Sequence, residues 1–113
     1  MKVCILGLGY IGLPTATIIA QQKHEVVGVD INHEIIKVIN SGKAHISETG
    51  LNEALLKVIN SGFFKASLKP VKSDIYIIAV PTPISKEENR IPEPNIEFIF
   101  SAIKSITKFL SKG

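Results

Sequence analysis

Six residues, Gly7-Leu8-Gly9-Tyr10-Ile11-Gly12, limit what this chain can fold into more than any other feature. A short apolar run, Lys2-Val3-Cys4-Ile5-Leu6, precedes them and reads as a buried parallel strand. A helical pattern follows them. Glu25-Val26-Val27-Gly28-Val29 then reads as a second strand, and it ends on Asp30. G-x-G-x-x-G alone is a weak signal. Set after a strand and before a helix, with an acid closing the next strand, it is the fingerprint of a dinucleotide-binding βαβ unit.

Each residue type has a physical task. Gly7 lets the chain turn off the strand, Gly9 lets backbone approach a pyrophosphate, and Gly12 allows close helix packing. The helix start offers unpaired N–H groups and partial positive charge, which suit a diphosphate. Pro14 falls in the first helical turn, where a missing N–H costs little. A carboxylate at Asp30 accepts from a ribose 2′-OH and repels a 2′-phosphate. Ile31, Asn32 and His33 follow it, none of them the Arg or Lys that would welcome NADP, so NAD is the expected cofactor. The competing role for Asp30 is a cap for the next helix, for which Asn32 is also a candidate.

The chain has 113 residues, 45% of them apolar, which suits one well-packed α/β domain. Net charge is +3 and the 13 basic residues are scattered, so a solvated surface is expected and nucleic-acid binding is not. No apolar run reaches membrane-spanning length and no signal peptide is recognisable, so no membrane partner is expected. A single cysteine excludes an internal disulfide framework and fits a reducing cytoplasm.

Periodicity and turn residues predict the remaining elements. Helices are expected over about 10–22, 32–41, 51–60 and 95–111, and strands over about 2–6, 25–29, 64–67 and 75–80. The first helix is expected to bury Ile11, Ala16, Ile18, Ile19 and Ala20, the second Ile35, Ile36, Val38 and Ile39, the third Leu51, Leu55, Val58 and Ile59. Right-handed crossovers then give a Rossmann-type doubly wound parallel sheet of order 3-2-1-4. Its ligand crevice lies between the glycine loop and the loop after Val80. A full doubly wound sheet and a catalytic domain need more chain than this. The expectation is therefore an N-terminal part of a larger enzyme, ending before strand five, with the substrate and catalytic domains elsewhere.

Three segments carry a resemblance: Gly7 to Ala16, Gly28-Val29-Asp30-Ile31-Asn32, and Ala79-Val80-Pro81-Thr82-Pro83. Together they resemble the UDP-glucose/GDP-mannose dehydrogenase family, and V-P-T-P beside the glycine motif makes the likeness specific. Ile39-Asn40-Ser41-Gly42, His45-Ile46-Ser47-Glu48 and Phe64-Lys65-Ala66-Ser67 are similar to its UDP-N-acetyl-D-mannosamine branch. The resemblance implies oxidation of a sugar-nucleotide C6 alcohol to a carboxylate with two NAD, through a cysteine thiohemiacetal and thioester. It implies that the cysteine and its assisting lysine and asparagine lie beyond this chain. It assigns Gly7, Gly9 and Gly12 to the phosphate loop, Tyr10 and Ile11 to backbone contact with the pyrophosphate, Asp30 to the adenosine ribose, and Thr82 to the dinucleotide, with Pro81 and Pro83 stiffening its loop. The implied partners are a UDP-sugar substrate and further copies in a homo-oligomer. Many UDP-glucose dehydrogenases carry a base five residues after the acid; here it is Ile35, which leans away from that branch.

Other reactive residues invite plainer roles. Cys4 sits within the first strand, as a small buried hydrophobe would. His24, His33 and His45 lack metal-ligand spacing, and His45 with Glu48 suits a local hydrogen bond or cap. Lys86 to Arg90 reads as a solvated loop tip. Competing functions are a UDP-glucose or GDP-mannose dehydrogenase, a β-hydroxyacid dehydrogenase and a non-enzymatic NAD-sensing module.

Overall fold

A computed structural model describes residues 1–45, 49–80 and 97–110. In chain order the elements are β1 (Lys2–Leu6), α1 (Gly12–Gln21), β2 (Glu25–Val29), α2 (His33–Asn40), α3 (Leu51–Ser61), β3 (Phe64–Ser67), β4 (Ile75–Ile78), α4 (Glu97–Ile106) and a 3₁₀ turn at Thr107–Phe109. The strands form one parallel sheet of order β3-β2-β1-β4, as expected. Cys4 stands opposite Val27 on one side and Tyr76 on the other. Asp74 opens the β1–β4 pairing from both ends of one residue: its N–H donates to the Lys2 carbonyl at 2.9 Å, and its Oδ2 accepts from the Lys2 N–H at 2.8 Å.

The pleat sends alternate residues to opposite faces. Val3, Ile5, Val26, Phe64 and Ala66 share one core with Leu13, Ala16 and Ala20 of α1, Ile39 of α2, and Leu51, Leu55 and Val58 of α3. Cys4, Leu6, Val27 and Val29 share the other with Ala102 and Ile106 of α4. Burial on both faces is what a parallel sheet requires, and it explains why these strands read as continuous apolar runs.

Three expectations are corrected. Helix α1 begins at Gly12 rather than Tyr10, and Ile11 and Ile18 are exposed. Its buried stripe is Leu13, Ala16, Thr17 and Ala20, at helical spacing. Thr17 takes a place sequence reading would assign to an isoleucine, because its hydroxyl donates to the Leu13 carbonyl at 2.9 Å and leaves only its methyl to pack. Regular pairing in β4 stops at Ile78, not Val80, although the Ala79 N–H still donates to Leu6 O at 2.7 Å. Strand β4 is also only half covered: Ile77 and Ile78 pack on opposite cores, while Ile75 is 41% exposed at this outer edge.

The opposite edge is protected. Asn40, the last residue of α2, donates through Nδ2 to Ala66 O at 3.0 Å and accepts through Oδ1 from Ala66 N at 2.9 Å. Its amide imitates one residue of a neighbouring strand and occupies the outward groups of β3. Gly42 and Gly62, both at positive φ, end α2 and α3 as expected of left-handed caps.

Candidate functional site

The glycine loop leaves the end of β1 beside the end of β2, with Gly7 N donating to Val29 O at 2.7 Å. Gly7 has φ +102°, and a Cβ there would lie 2.6 Å from the Ala79 carbonyl oxygen. Only glycine combines that backbone angle with so close a neighbour. Gly12 has a different reason. A Cβ there would lie 1.8 Å from Gly7 O, so helix α1 starts directly against the loop's own first turn. Both glycines serve the fold.

Gly9 does not. Its φ is not positive, and a Cβ built on it meets no atom of the described residues within 4 Å, chain neighbours apart. Neither backbone strain nor packing among the described residues calls for a glycine here. The open space lies at the foot of α1, whose first turn has no side-chain cap and no acidic residue. Tyr10 and Ile11, 78% and 74% exposed, flank the opening. Unpaired N–H groups and the positive helix end can hold an anion brought close to Gly9.

Leu8, between the glycines, points the other way and is fully buried. It fits because β2 carries Gly28 beneath it: a Cβ on Gly28 would lie 2.6 Å from Leu8 Cδ2. A lone glycine inside a strand signals such an approach, though not its partner.

Asp30 closes the site. Its Oδ2 accepts from Leu8 N at 3.1 Å and its Oδ1 from Asn32 N at 3.0 Å. The acid is thus bonded to the glycine loop itself, and each oxygen keeps lone-pair capacity for a further donor. Asp30 does not cap α2; Asn32 does, its Oδ1 accepting from Glu34 N at 2.9 Å and Ile35 N at 3.3 Å. Ile35 packs against the core, so the position of the base found in many UDP-glucose dehydrogenases brings no charge to this site.

Gly7, Gly9, Tyr10, Ile11, Gly12 and Asp30 therefore meet at one end of the sheet. Thr82, with Pro81 and Pro83, lies outside the described residues, as do Lys86 to Arg90 and Glu48. Cys4 is fully buried in β1, and burial pushes its thiol pKa up, outweighing a Val71 backbone hydrogen bond and the Lys2 charge. It is a core residue and no nucleophile. His33 heads α2 and is exposed. His45 has a buried Nδ1 without a hydrogen-bond partner among the described residues, and Glu48, with which a local bond or cap was expected, lies outside them. Sequence reading missed the Leu8–Gly28 fit and the Asp30–Leu8 bond; Gly28 alone gave a signal.

Comparison with known proteins agrees with this geometry. The UDP-N-acetyl-D-mannosamine dehydrogenase of Campylobacter jejuni is 51% identical over 112 residues, which are 99% of this chain and 27% of that protein. The enzyme of the same name from Escherichia coli K12 is 41% identical, over 98% of this chain and 26% of its own length. Among solved structures, the UDP-N-acetyl-mannosamine dehydrogenase of Staphylococcus aureus superposes with a TM-score of 0.90 at 42% identity, covering 100% of this chain and 27% of that one. A ternary complex of GDP-mannose dehydrogenase from Pseudomonas aeruginosa gives a TM-score of 0.86 at 31% identity, over 96% of this chain and 25% of that one. The chain thus spans about a quarter of the length of these relatives. The family model described as the NAD-binding domain of the UDP-glucose/GDP-mannose dehydrogenase family matches residues 1–113. The chain belongs to the UDP-glucose/GDP-mannose dehydrogenase family, as its NAD-binding domain.

Proposed function

We propose that this chain is the NAD-binding part of a dehydrogenase that oxidises UDP-N-acetyl-D-mannosamine at C6 to UDP-N-acetyl-D-mannosaminuronate, using two NAD. Gly9 carries the nucleotide part of the reading, as the one loop glycine whose space the described residues leave unused. The names of the C. jejuni and E. coli relatives support the sugar, and uncharged Ile35 fits a branch other than the UDP-glucose one.

In this reading NAD supplies the hydride acceptor. The N–H groups around Tyr10 and Ile11 hold its pyrophosphate against Gly9. Asp30 accepts from the adenosine ribose and repels a 2′-phosphate. Its bond to Leu8 N keeps ribose and pyrophosphate sites in fixed relation, so binding orders little of the protein. Thr82 adds a hydroxyl from the loop after β4. The cysteine, lysine and asparagine of the chemical steps belong to other parts of the polypeptide, and Cys4 takes no part. The intact enzyme is expected in the cytoplasm as a homo-oligomer.

The test is turnover of the full-length protein with UDP-N-acetyl-D-mannosamine, UDP-glucose and GDP-mannose, each with NAD. Two NADH per sugar, with kcat/KM highest for the first, is expected. A preference for either other sugar overturns the substrate assignment. NADH production by residues 1–113 alone overturns the placement of the catalytic groups.

A further inference from the structure

Gly28 lies within β2, paired with Ile5 of β1 on one side and Ala66 of β3 on the other. Its φ is not positive, so the backbone there suits any residue. What excludes a side chain is a neighbour. A Cβ would lie 2.6 Å from Leu8 Cδ2 and 3.1 Å from Leu8 Cδ1, with Phe64 Cε1 at 3.0 Å. Leu8 is fully buried and shares one core with Ile5, Phe64 and Ala66. The side chain that Gly28 lacks is the space that Leu8 fills.

Leu8 is a short lever between that space and the nucleotide site. Its side chain rests over Gly28, and its own N–H donates to Asp30 Oδ2 at 3.1 Å. The two flanking glycines differ in freedom. Gly7 is held: its N–H donates to Val29 O at 2.7 Å, and a Cβ on it would lie 2.6 Å from the Ala79 carbonyl oxygen. Gly9 faces space that the described residues leave open. A Leu8 pushed off β2 therefore yields toward Gly9 and draws its N–H away from Asp30. The carboxylate keeps its bond from Asn32 N at 3.0 Å but loses the one that fixes Oδ2.

We propose that Gly28 is a positioning residue for cofactor selection: by leaving room for Leu8 it fixes where the Leu8 N–H holds Asp30, and so aims the carboxylate that reads a ribose and repels a 2′-phosphate. Gly28 is itself buried and acts through packing alone. A core position is thereby tied to the choice between NAD and NADP through one side chain and one hydrogen bond. A glycine needed only for packing would affect stability and leave that choice unchanged. The inference rests on the nucleotide site proposed above.

The test uses the full-length protein and calorimetric titration with NAD and with NADP. Gly28→Ala is expected to weaken NAD about 10-fold, the lower end for a hydrogen bond to a charged group, and to narrow the NAD:NADP affinity ratio at least about 3-fold. Leu8→Val withdraws the contact from the other side and is expected to narrow the ratio about 3-fold as well. The double variant moves one carbon across the contact without changing the buried volume, and is expected to bind NAD within about 2-fold of wild type. Melting without cofactor identifies any variant that fails to fold; should Gly28→Ala fail, the ratio in Leu8→Val decides. A folded Gly28→Ala that melts lower yet keeps the wild-type ratio, an unchanged ratio in Leu8→Val, or a double variant no better than Gly28→Ala overturns the positioning role of Gly28 alone. Wild-type protein that binds no NAD overturns the nucleotide site as well.

Discussion

Alanine at Gly9 and alanine at Gly12 are expected to fail in opposite ways. At Gly9 the new methyl enters open space on a backbone that any residue adopts. Such a glycine-to-alanine change stabilises by about 0.4–1 kcal/mol, through the unfolded chain. The same methyl stands where the pyrophosphate must lie. An overpacking cost of about 1–3 kcal/mol then falls on binding alone, weakening NAD roughly 5- to 150-fold. At Gly12 the Cβ would come within 1.8 Å of Gly7 O, and both sides of that contact are backbone. Helix α1 must shift by about 1 Å, at the upper end of the overpacking range, about 3 kcal/mol. For a domain of 113 residues this lowers the melting temperature by about 10 °C. Thermal melts by far-UV circular dichroism and calorimetry with NAD separate the two effects. Undiminished NAD affinity in Gly9→Ala, or a melting loss there as large as in Gly12→Ala, refutes the division of labour among these glycines.

Three further outcomes follow from the same geometry. Asp30→Ala is expected to weaken NAD, narrow its advantage over NADP, and cost about 1–2 kcal/mol of stability because Leu8 N and Asn32 N lose their acceptor; titration and denaturant unfolding measure both parts. His45 has a lowered pKa in the fold, so the unfolded chain binds its proton more readily and stability falls as pH drops below the ordinary 6.5 toward the lower folded value. Unfolding titrations across that window are expected to show this fall in wild type and less of it in His45→Gln; identical profiles refute it. Residues 1–113 produced alone are expected to self-associate through β4, where Ile75 is half-exposed and nothing comparable to the Asn40 clasp on β3 is present among the described residues. A clean monomer at high concentration by sedimentation refutes that edge as the contact.

Local pattern determined much of this protein. The sheet order followed from the succession of apolar runs and helical segments, because parallel crossovers have one hand and few alternatives. The bounds of β1, β2 and β3 fell where glycines, charges and prolines interrupt the apolar runs. The glycine motif and Asp30 located the nucleotide site, since those residue types at that spacing answer to backbone chemistry near in sequence. Only the tertiary structure decided which part each residue plays. Ile11 and Ile18 are as apolar as Leu13, yet they lie outside, because the direction in which α1 meets the sheet is set by Gly12 against Gly7 O. The freedom of Gly9, the fit of Leu8 over Gly28, the bond from Leu8 to Asp30 and the clasp of Asn40 on Ala66 each join residues from separate elements. The buried Nδ1 of His45, without a partner among the described residues, has the same origin. Whether a polar atom is paired depends on what packing brings beside it, and no periodicity along the chain encodes that.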